Sequence, residues 1–260
     1  MKRKSIKQKP PVSKLSLNIA KVQQRIKTAA ERVGRNADEI TLVAVTKTHP
    51  LELHLEAYNA GLRHFGENRV HEIETKIPAF ADLIDGYEFD PAIWHFIGHI
   101  QSRQVATVLT SQPDILHALD SVKLAQRIER IMVREGHRHA LSVLLQCNVS
   151  GEASKSGFPL YNWQEDETQL DTFVAQVEQI LDLPHIMIAG LMTMAPYSDN
   201  PEDARPVFQS LVELQEHLQW LLSTVNWHDL SMGMTSDFEV AIEEGATIVR
   251  VGRALFGERT

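Results

Sequence analysis

The hydrophobic pattern switches repeatedly between a helical and a two-residue period. Ile19, Val22, Ile26, Ala29 or Ala30, and Val33 recur at helical spacing, which predicts an opening helix with Ser16 as its cap and Gly34 as its stop. Residues 41–48 form an apolar, β-branched run that reads as a strand ending near Lys47, before a turn at His49-Pro50. Residues 51–59 then read as a helix, 63–67 as a short strand, 68–76 as a helix and 82–91 as a polar loop. The alternation persists to the C-terminus. Further strands are predicted at 93–97, 115–119, 141–149, 186–192, 229–232 and 247–251, and further helices at 101–109, 122–135, 170–181, 203–222 and 237–244.

Eight strands separated by helices are the pattern of a single (β/α)8 TIM barrel, an α/β fold of about 250 residues. An open, doubly wound sheet is the alternative. It is disfavoured because no Gly-x-Gly-x-x-Gly follows the first strand and the spacing stays regular through every unit. Residues 1–14, with Lys2, Arg3, Lys4, Lys7, Lys9, Lys14 and Pro10-Pro11, read as a disordered basic tail, leaving residues 15–260 for the barrel.

Composition narrows the function without identifying it. The chain has 260 residues, 43% of them apolar, and a net charge of −8, which argues against nucleic acid or a membrane surface as partner. The balance points to a soluble, cytoplasmic protein. No apolar run approaches the roughly 18 residues that span a bilayer. The single cysteine, Cys147, lies in an apolar run and reads as a core residue.

A barrel carries its chemistry at the C-terminal ends of its strands. Alternation puts Val43, Val45 and Lys47 on one face, so Lys47 is the last inward residue of the first strand. Desolvation there lowers an amine's pKa and makes it a candidate nucleophile for a carbonyl. Taken alone, the segment also fits a lysine reaching into solvent. At the other end of the chain, Ser231, Gly233, Thr235 and Ser236 offer hydroxyls and close backbone approach just before a helix, as a phosphate site requires. Arg250 and Gly252 share the inward face of the last strand, which pairs with the first when the barrel closes. A lysine beside a phosphate loop calls for a phosphorylated aldehyde or ketone. Both a sugar phosphate and pyridoxal 5′-phosphate fit, and an inward arginine suits the pyridine nitrogen of the second.

Six segments carry a resemblance in order along the chain: Val43-Ala-Val-Thr-Lys47, His64-Phe-Gly-Glu-Asn68, Trp94-His-Phe-Ile-Gly98, Gly190-Leu-Met-Thr193, Leu230-Ser-Met-Gly-Met-Thr-Ser-Asp237 and Val249-Arg-Val-Gly-Arg-Ala-Leu-Phe-Gly257. The chain resembles the YggS/PROSC family of pyridoxal phosphate homeostasis proteins from about residue 16 onward, on a barrel like that of alanine racemase's N-terminal domain. The resemblance implies that Lys47 forms the internal aldimine with pyridoxal 5′-phosphate, that Ser231, Thr235 and Gly252 surround the phosphate, and that Arg250 lies near the pyridine nitrogen or phosphate. Asn68 and Gly233 complete the expected cofactor site. After Gly98 the family tends to read Leu-Gln-x-Asn-Lys, whereas this chain has His99-Ile100-Gln101-Ser102-Arg103-Gln104 and keeps only the glutamine.

A guanidinium beside the pyridine nitrogen has no proton-accepting site, so the nitrogen stays unprotonated and the ring is a weaker electron sink. The chain also ends nine residues after Val251, without the length for a racemase's second, β-rich domain. The expected protein is therefore a carrier in vitamin B6 homeostasis that buffers or delivers its cofactor without robust turnover. Its expected partners are the cofactor and apo pyridoxal phosphate enzymes as recipients. It is expected to be a monomer, with a weak dimer as the alternative. The competing reading is a pyridoxal phosphate-dependent racemase using Tyr197 or His95 as acid–base group, and a metal-free aldolase is a distant third. Lys155 reads as a solvated loop amine, with an accessory contact as the alternative.

Overall fold

The computed structural model describes residues 13–87, 89–152 and 155–257. The basic tail expected over residues 1–14 lies outside them except for its last two positions. Those two belong to the first helix: Ser13 caps it, its Oγ accepting from the Ser16 N–H at 3.0 Å, and Lys14 opens it. The cap is therefore Ser13 rather than Ser16, which lies in the first turn. Helix α1 (Lys14–Arg32) buries the predicted stripe of Ile19, Val22, Ile26, Ala29 and Ala30.

The strands are β1 (Thr41–Val45), β2 (His64–Glu67), β3 (Ile93–Phe96), β4 (Ile115–Leu119), β5 (Leu141–Asn148), β6 (Phe158–Pro159), β7 (Ile186–Met192), β8 (Asp229–Ser231) and β9 (Ile248–Val251). All pairings are parallel, in the order β4-β3-β2-β1-β9-β8-β7-β5, and a β4–β5 pairing closes the ring. The two-residue β6 is an addition to β5 inside the loop expected at 150–166. Eight strands therefore form a closed TIM barrel, wrapped by α1, α2 (Leu51–Asn59), α3 (Val70–Ile84), α4 (Val105–Thr110), α5 (Val122–Glu135), α6 (Glu167–Leu181), α7 (Arg205–Leu221), α8 (Phe238–Glu243) and α9 (Arg253–Phe256).

Alternation divides the core in two. Ala44, Phe65, Phe96, Leu116, Leu145, Leu191 and Val249 pack outward under the helices. Val43, Ala118, Leu144, Met192 and Ile248 fill the barrel interior. Burying each outward phenylalanine contributes roughly 2 kcal/mol, so the outer layer holds the wall in shape and leaves the interior free to carry polar groups. Val43 on β1 stands opposite Arg250 on β9, which fixes the seam where the chain's two ends meet.

Two boundaries differ from the sequence pattern. Helix α3 runs through Pro78 to Ile84 rather than stopping near Lys76, anchored by buried Ile73 and Phe80. Strand β1 stops at Val45, and Lys47 lies in the turn beyond it. Its two neighbours explain the early stop: the Thr46 carbonyl accepts from Lys76 and the Thr48 N–H donates to Glu72. Thr48 also has φ 68°, a left-handed conformation incompatible with a strand.

Gly190 sits where β7 faces β8, paired with Asp229, and a Cβ built there would lie 1.9 Å from the Asp229 carbonyl oxygen. Gly190→Ala is expected to destabilise the protein by about 2 kcal/mol or more, because backbone rather than a flexible side chain must yield. Urea unfolding monitored by circular dichroism measures this, and an unchanged midpoint would mean that the two strands separate freely.

Candidate functional site

The C-terminal ends of β8, β9 and β1 are adjacent, and three features of the chain converge there. Register continued from Ala44 opposite Val251 brings Val45 level with Gly252, and a Cβ added to Gly252 would lie 3.3 Å from the Val45 carbonyl oxygen. The turn bearing Lys47 thus rises directly beside the end of β9. Gly233 in the loop after β8 has φ 90°, and a Cβ there would lie 2.6 Å from the Ala241 side chain and 2.9 Å from the Phe238 backbone. A glycine is required for the loop to fold so tightly onto α8. Asp237 pins the same loop, its carboxylate accepting from the Met234 N–H at 2.6 Å. The hydroxyl-bearing Thr235 and Ser236 are left half-buried at the rim.

Arg250 is the charged group inside the barrel at this end, with 5% of its surface exposed. Burial lowers its guanidinium to about 10, while the nearby Asp237 carboxylate opposes the shift. It therefore remains a cation at neutral pH. One nitrogen donates to Ser231 Oγ and another to the Thr193 carbonyl at 2.9 Å. Thr193 is fixed in turn, its hydroxyl donating to the Cys147 carbonyl at 2.8 Å. Burial pushes the Cys147 thiol up and makes it unreactive, in accord with a core role.

Beyond Ser231 a line of rings crosses the barrel. Ser231 Oγ lies 2.9 Å from His117 Nδ1, His117 Nε2 lies 2.8 Å from His95 Nδ1, and His95 Nε2 lies 2.9 Å from His64 Nδ1. Each ring comes from the inward face of a successive strand: β2, β3 and β4. Three neutral imidazoles and one hydroxyl supply a proton for every contact in this line. Burial keeps them neutral: His95 is lowered to about 3, chiefly by desolvation and then by His64, and His117 is lowered well below its usual value by desolvation, His95 and Arg250. His64, half-buried at the far end, is lowered by desolvation against the pull of Asp114.

On the other side of Lys47, β2 ends in two polar residues of different kinds. Glu67 is fully buried among α2 and α3, where it accepts from Thr46 and Lys76 and lies 3.3 Å from His54 Nε2. Asn68 follows it at the mouth and is half-buried, and its Oδ1 is a buried acceptor that no donor among the described residues reaches. Its backbone carbonyl crowds Gly98, where a Cβ would come within 2.3 Å.

Of the residues singled out in the sequence, Lys47, Gly252, Arg250 and the loop of Gly233 and Thr235 meet around one seam. Ser231 is set deeper than the rim, and its hydroxyl is engaged by Arg250 and His117. Of the two suggested acid–base residues, His95 is locked into the ring line, and Tyr197 is 74% exposed with its hydroxyl donating to Asp199 at 3.1 Å. Lys155 pairs with Glu152 at 3.7 Å in its loop. Sequence reasoning assigned no role to His64, His117, Glu67, Glu72 or Lys76. A histidine at an inward position of three successive strands, and a Glu-Lys pair four apart on the third helix, were the readable signals.

The chain matches the alanine racemase N-terminal domain family over residues 17–260. It is 42% identical to the pyridoxal phosphate homeostasis protein of Aquifex aeolicus, over 93% of this chain and 96% of that one. Among solved structures it is similar to PipY of Synechococcus elongatus with PLP bound, with TM-score 0.74, 30% identity, and coverage of 94% of this chain and all of that one. An alanine racemase of Clostridium difficile shares the fold, with TM-score 0.66 at 15% identity over 94% of this chain and 56% of that one.

The neutral ring line predicts a specific acid sensitivity. Unfolded histidines take up protons near 6.5, whereas His95 in the barrel does so only near 3. Between those values the unfolded state binds more protons, so stability falls as pH falls. Unfolding free energy should decline from about pH 6.5 towards pH 5, by up to about 1.4 kcal/mol per pH unit for each such ring. His95→Gln should flatten the slope by about one ring's worth, measured by urea titrations across that range. An unchanged slope would mean that the folded ring already carries a proton.

Proposed function

The chain belongs to the family of pyridoxal phosphate homeostasis proteins, built on the alanine racemase N-terminal domain, and on that premise we propose that it holds pyridoxal 5′-phosphate covalently at Lys47 and buffers or delivers it within vitamin B6 homeostasis. The observation that carries this reading is the meeting of Lys47, Arg250 and the Gly233 loop at the β8–β9–β1 seam.

The residues present fit the group. The loop folded tightly at Gly233, with Thr235 and Ser236 at its rim, suits a phosphate approached through backbone N–H groups and hydroxyls, and Gly252 keeps the neighbouring strand end free of a side chain. The buried Asn68 Oδ1 is an acceptor in need of a donor. Ser231 serves the site indirectly, by holding Arg250. Bound there, the cofactor supplies an aldehyde that a lysine amine can hold reversibly and a ring whose electron demand depends on what faces its nitrogen. Arg250, if it faced that nitrogen, would act as a fixed hydrogen-bond donor with no proton-accepting site, which would favour retention over carbanion chemistry. The reading of a carrier rather than a racemase is further supported by His95, whose ring is buried and engaged by the neighbouring histidines.

Protein incubated with pyridoxal 5′-phosphate and desalted should be yellow, and borohydride should fix the chromophore to the Lys47 peptide in mass spectra. Lys47→Ala should abolish that adduct. Protein that stays colourless and unlabelled would sink the reading. Incubating the loaded protein with a panel of amino acids in D2O tests turnover, since rapid α-proton exchange would favour the racemase instead. Transfer to an apo-enzyme faster than spontaneous dissociation would establish delivery.

A further inference from the structure

Whereas Lys47 is half-buried, Lys76 on α3 is a buried lysine. Its ammonium has three protons, and the structure supplies three acceptors: Glu67 Oε1 at 2.7 Å, Glu72 Oε2 at 2.6 Å and the Thr46 carbonyl at 3.0 Å. The same two carboxylates reach the chain on both sides of Lys47. Thr46 Oγ1 donates to Glu67 Oε1 at 2.8 Å, and the Thr48 N–H donates to Glu72 Oε2 at 2.7 Å. One buried cluster therefore grips residues 46 and 48 and leaves residue 47 between them.

We propose that Lys76 is a positioning residue that, through Glu67 and Glu72, fixes the turn presenting the Lys47 amine. Three observations support the role. Thr48 is β-branched yet held at φ 68°, a conformation that persists only where its surroundings dictate it. The cluster is deeply buried, with Glu67 fully enclosed and Glu72 and Lys76 under one-tenth exposed, so the ionic contacts act across little solvent. Desolvation alone would raise the Glu72 carboxyl, but the bonds from Lys76 and the Thr48 N–H outweigh it, and the carboxyl is held below its ordinary value. Removing Lys76 would leave two carboxylates facing each other with no cation between them, and the turn would lose its common anchor.

The further groups around the cluster are consistent with this role. His54 reaches Glu67 Oε1 at 3.3 Å and the Pro50 carbonyl at 3.0 Å, so α2 closes the cluster from a third side. Arg69 stands 3.6 Å from the outer oxygen of Glu72, and His49, lowered by burial and then by Lys76 and His54, packs against Phe256.

The consequence for function rests on the reading that Lys47 captures the cofactor aldehyde, and the test separates the two. Lys76→Met is compared with the parent protein in three measurements. The rate of covalent capture of pyridoxal 5′-phosphate should fall about tenfold or more, as expected when a reacting amine is misplaced by a fraction of an ångström. Affinity for pyridoxine 5′-phosphate, which has the ring and phosphate but no aldehyde, should stay within about threefold, since the Gly233 loop and Arg250 are untouched. Amide exchange at Thr48 in the cofactor-free protein should rise about tenfold or more while the β-strand amides keep their protection. Unchanged capture, or parallel loss of both ligands, would overturn the proposal. If the parent protein itself captures no aldehyde, the proposed function falls, and Thr48 exchange still decides the clamp: an unchanged rate there overturns it. Should Lys76→Met not fold, Lys76→Met with Glu72→Gln keeps the cluster at one net negative charge and is read against Glu72→Gln alone in the same assays.

Discussion

An apolar barrel that closes around a guanidinium must satisfy that charge without water. Arg250 stands opposite Val43 and close above Ile248, in an interior whose apolar lining also includes Ala118, Leu144 and Met192. An isolated cation there would be prohibitively unfavourable, so the strands around it are committed to supporting it. Strand β8 supplies Ser231, the end of β7 supplies the Thr193 carbonyl, and the loop before α8 supplies the opposing charge of Asp237. The three rings on β2, β3 and β4 extend the support as uncharged partners, so the line adds no further charge to the interior. Six of the eight strands are thereby tied to one residue: β2, β3, β4, β7, β8 and β9 itself.

The two lysines near β1 show how neighbourhood rather than residue type determines chemistry. Lys76 reaches three acceptors, two of them carboxylates, which makes it a structural pin. Lys47 lies between two residues gripped by that pin, in a turn beside Gly252 at the seam. On the reading proposed, the ion cluster that engages one amine thus presents the other. It also accounts for the strand ending two residues before its lysine, because the backbone groups that would have extended the ladder are used by α3.

The barrel, and the adjacency of its first and last strands, were legible from periodicity because each unit repeats the same two-period signal. Lys47, Gly233, Arg250 and Gly252 were legible because strand ends on a closed barrel must converge. The rest was hidden for identifiable reasons. Ser231 reads as a phosphate-site hydroxyl at a strand end, and its engagement by Arg250 and His117 depends on residues from other strands. The histidines are inward by alternation, but their contacts run between strands that sequence spacing does not align, and the β4–β5 register shifts near Leu119. The early end of β1 depends on Lys76 and Glu72, about thirty residues away, which no local propensity encodes. The first cap moved to Ser13 because two serines stand three residues apart, and the pattern alone does not choose between them.

Under the proposed function, the choice between holding a cofactor and using it follows from the same buried charge. At about 10, Arg250 sits well above neutral pH, and with its protons directed at Ser231 and Thr193 it can donate to a ring nitrogen but has no lone pair with which to take a proton. A carboxylate in that position would stabilise a protonated nitrogen and draw electrons through the ring. A guanidinium leaves the nitrogen neutral and the ring a weak sink. On the reading proposed, the aldehyde can still be held and released by Lys47, since that exchange does not depend on the nitrogen's proton. On that reading retention and turnover separate at Arg250, and the polar line from Ser231 to His64 bears on that separation by keeping the guanidinium in place without adding a carboxylate to the interior.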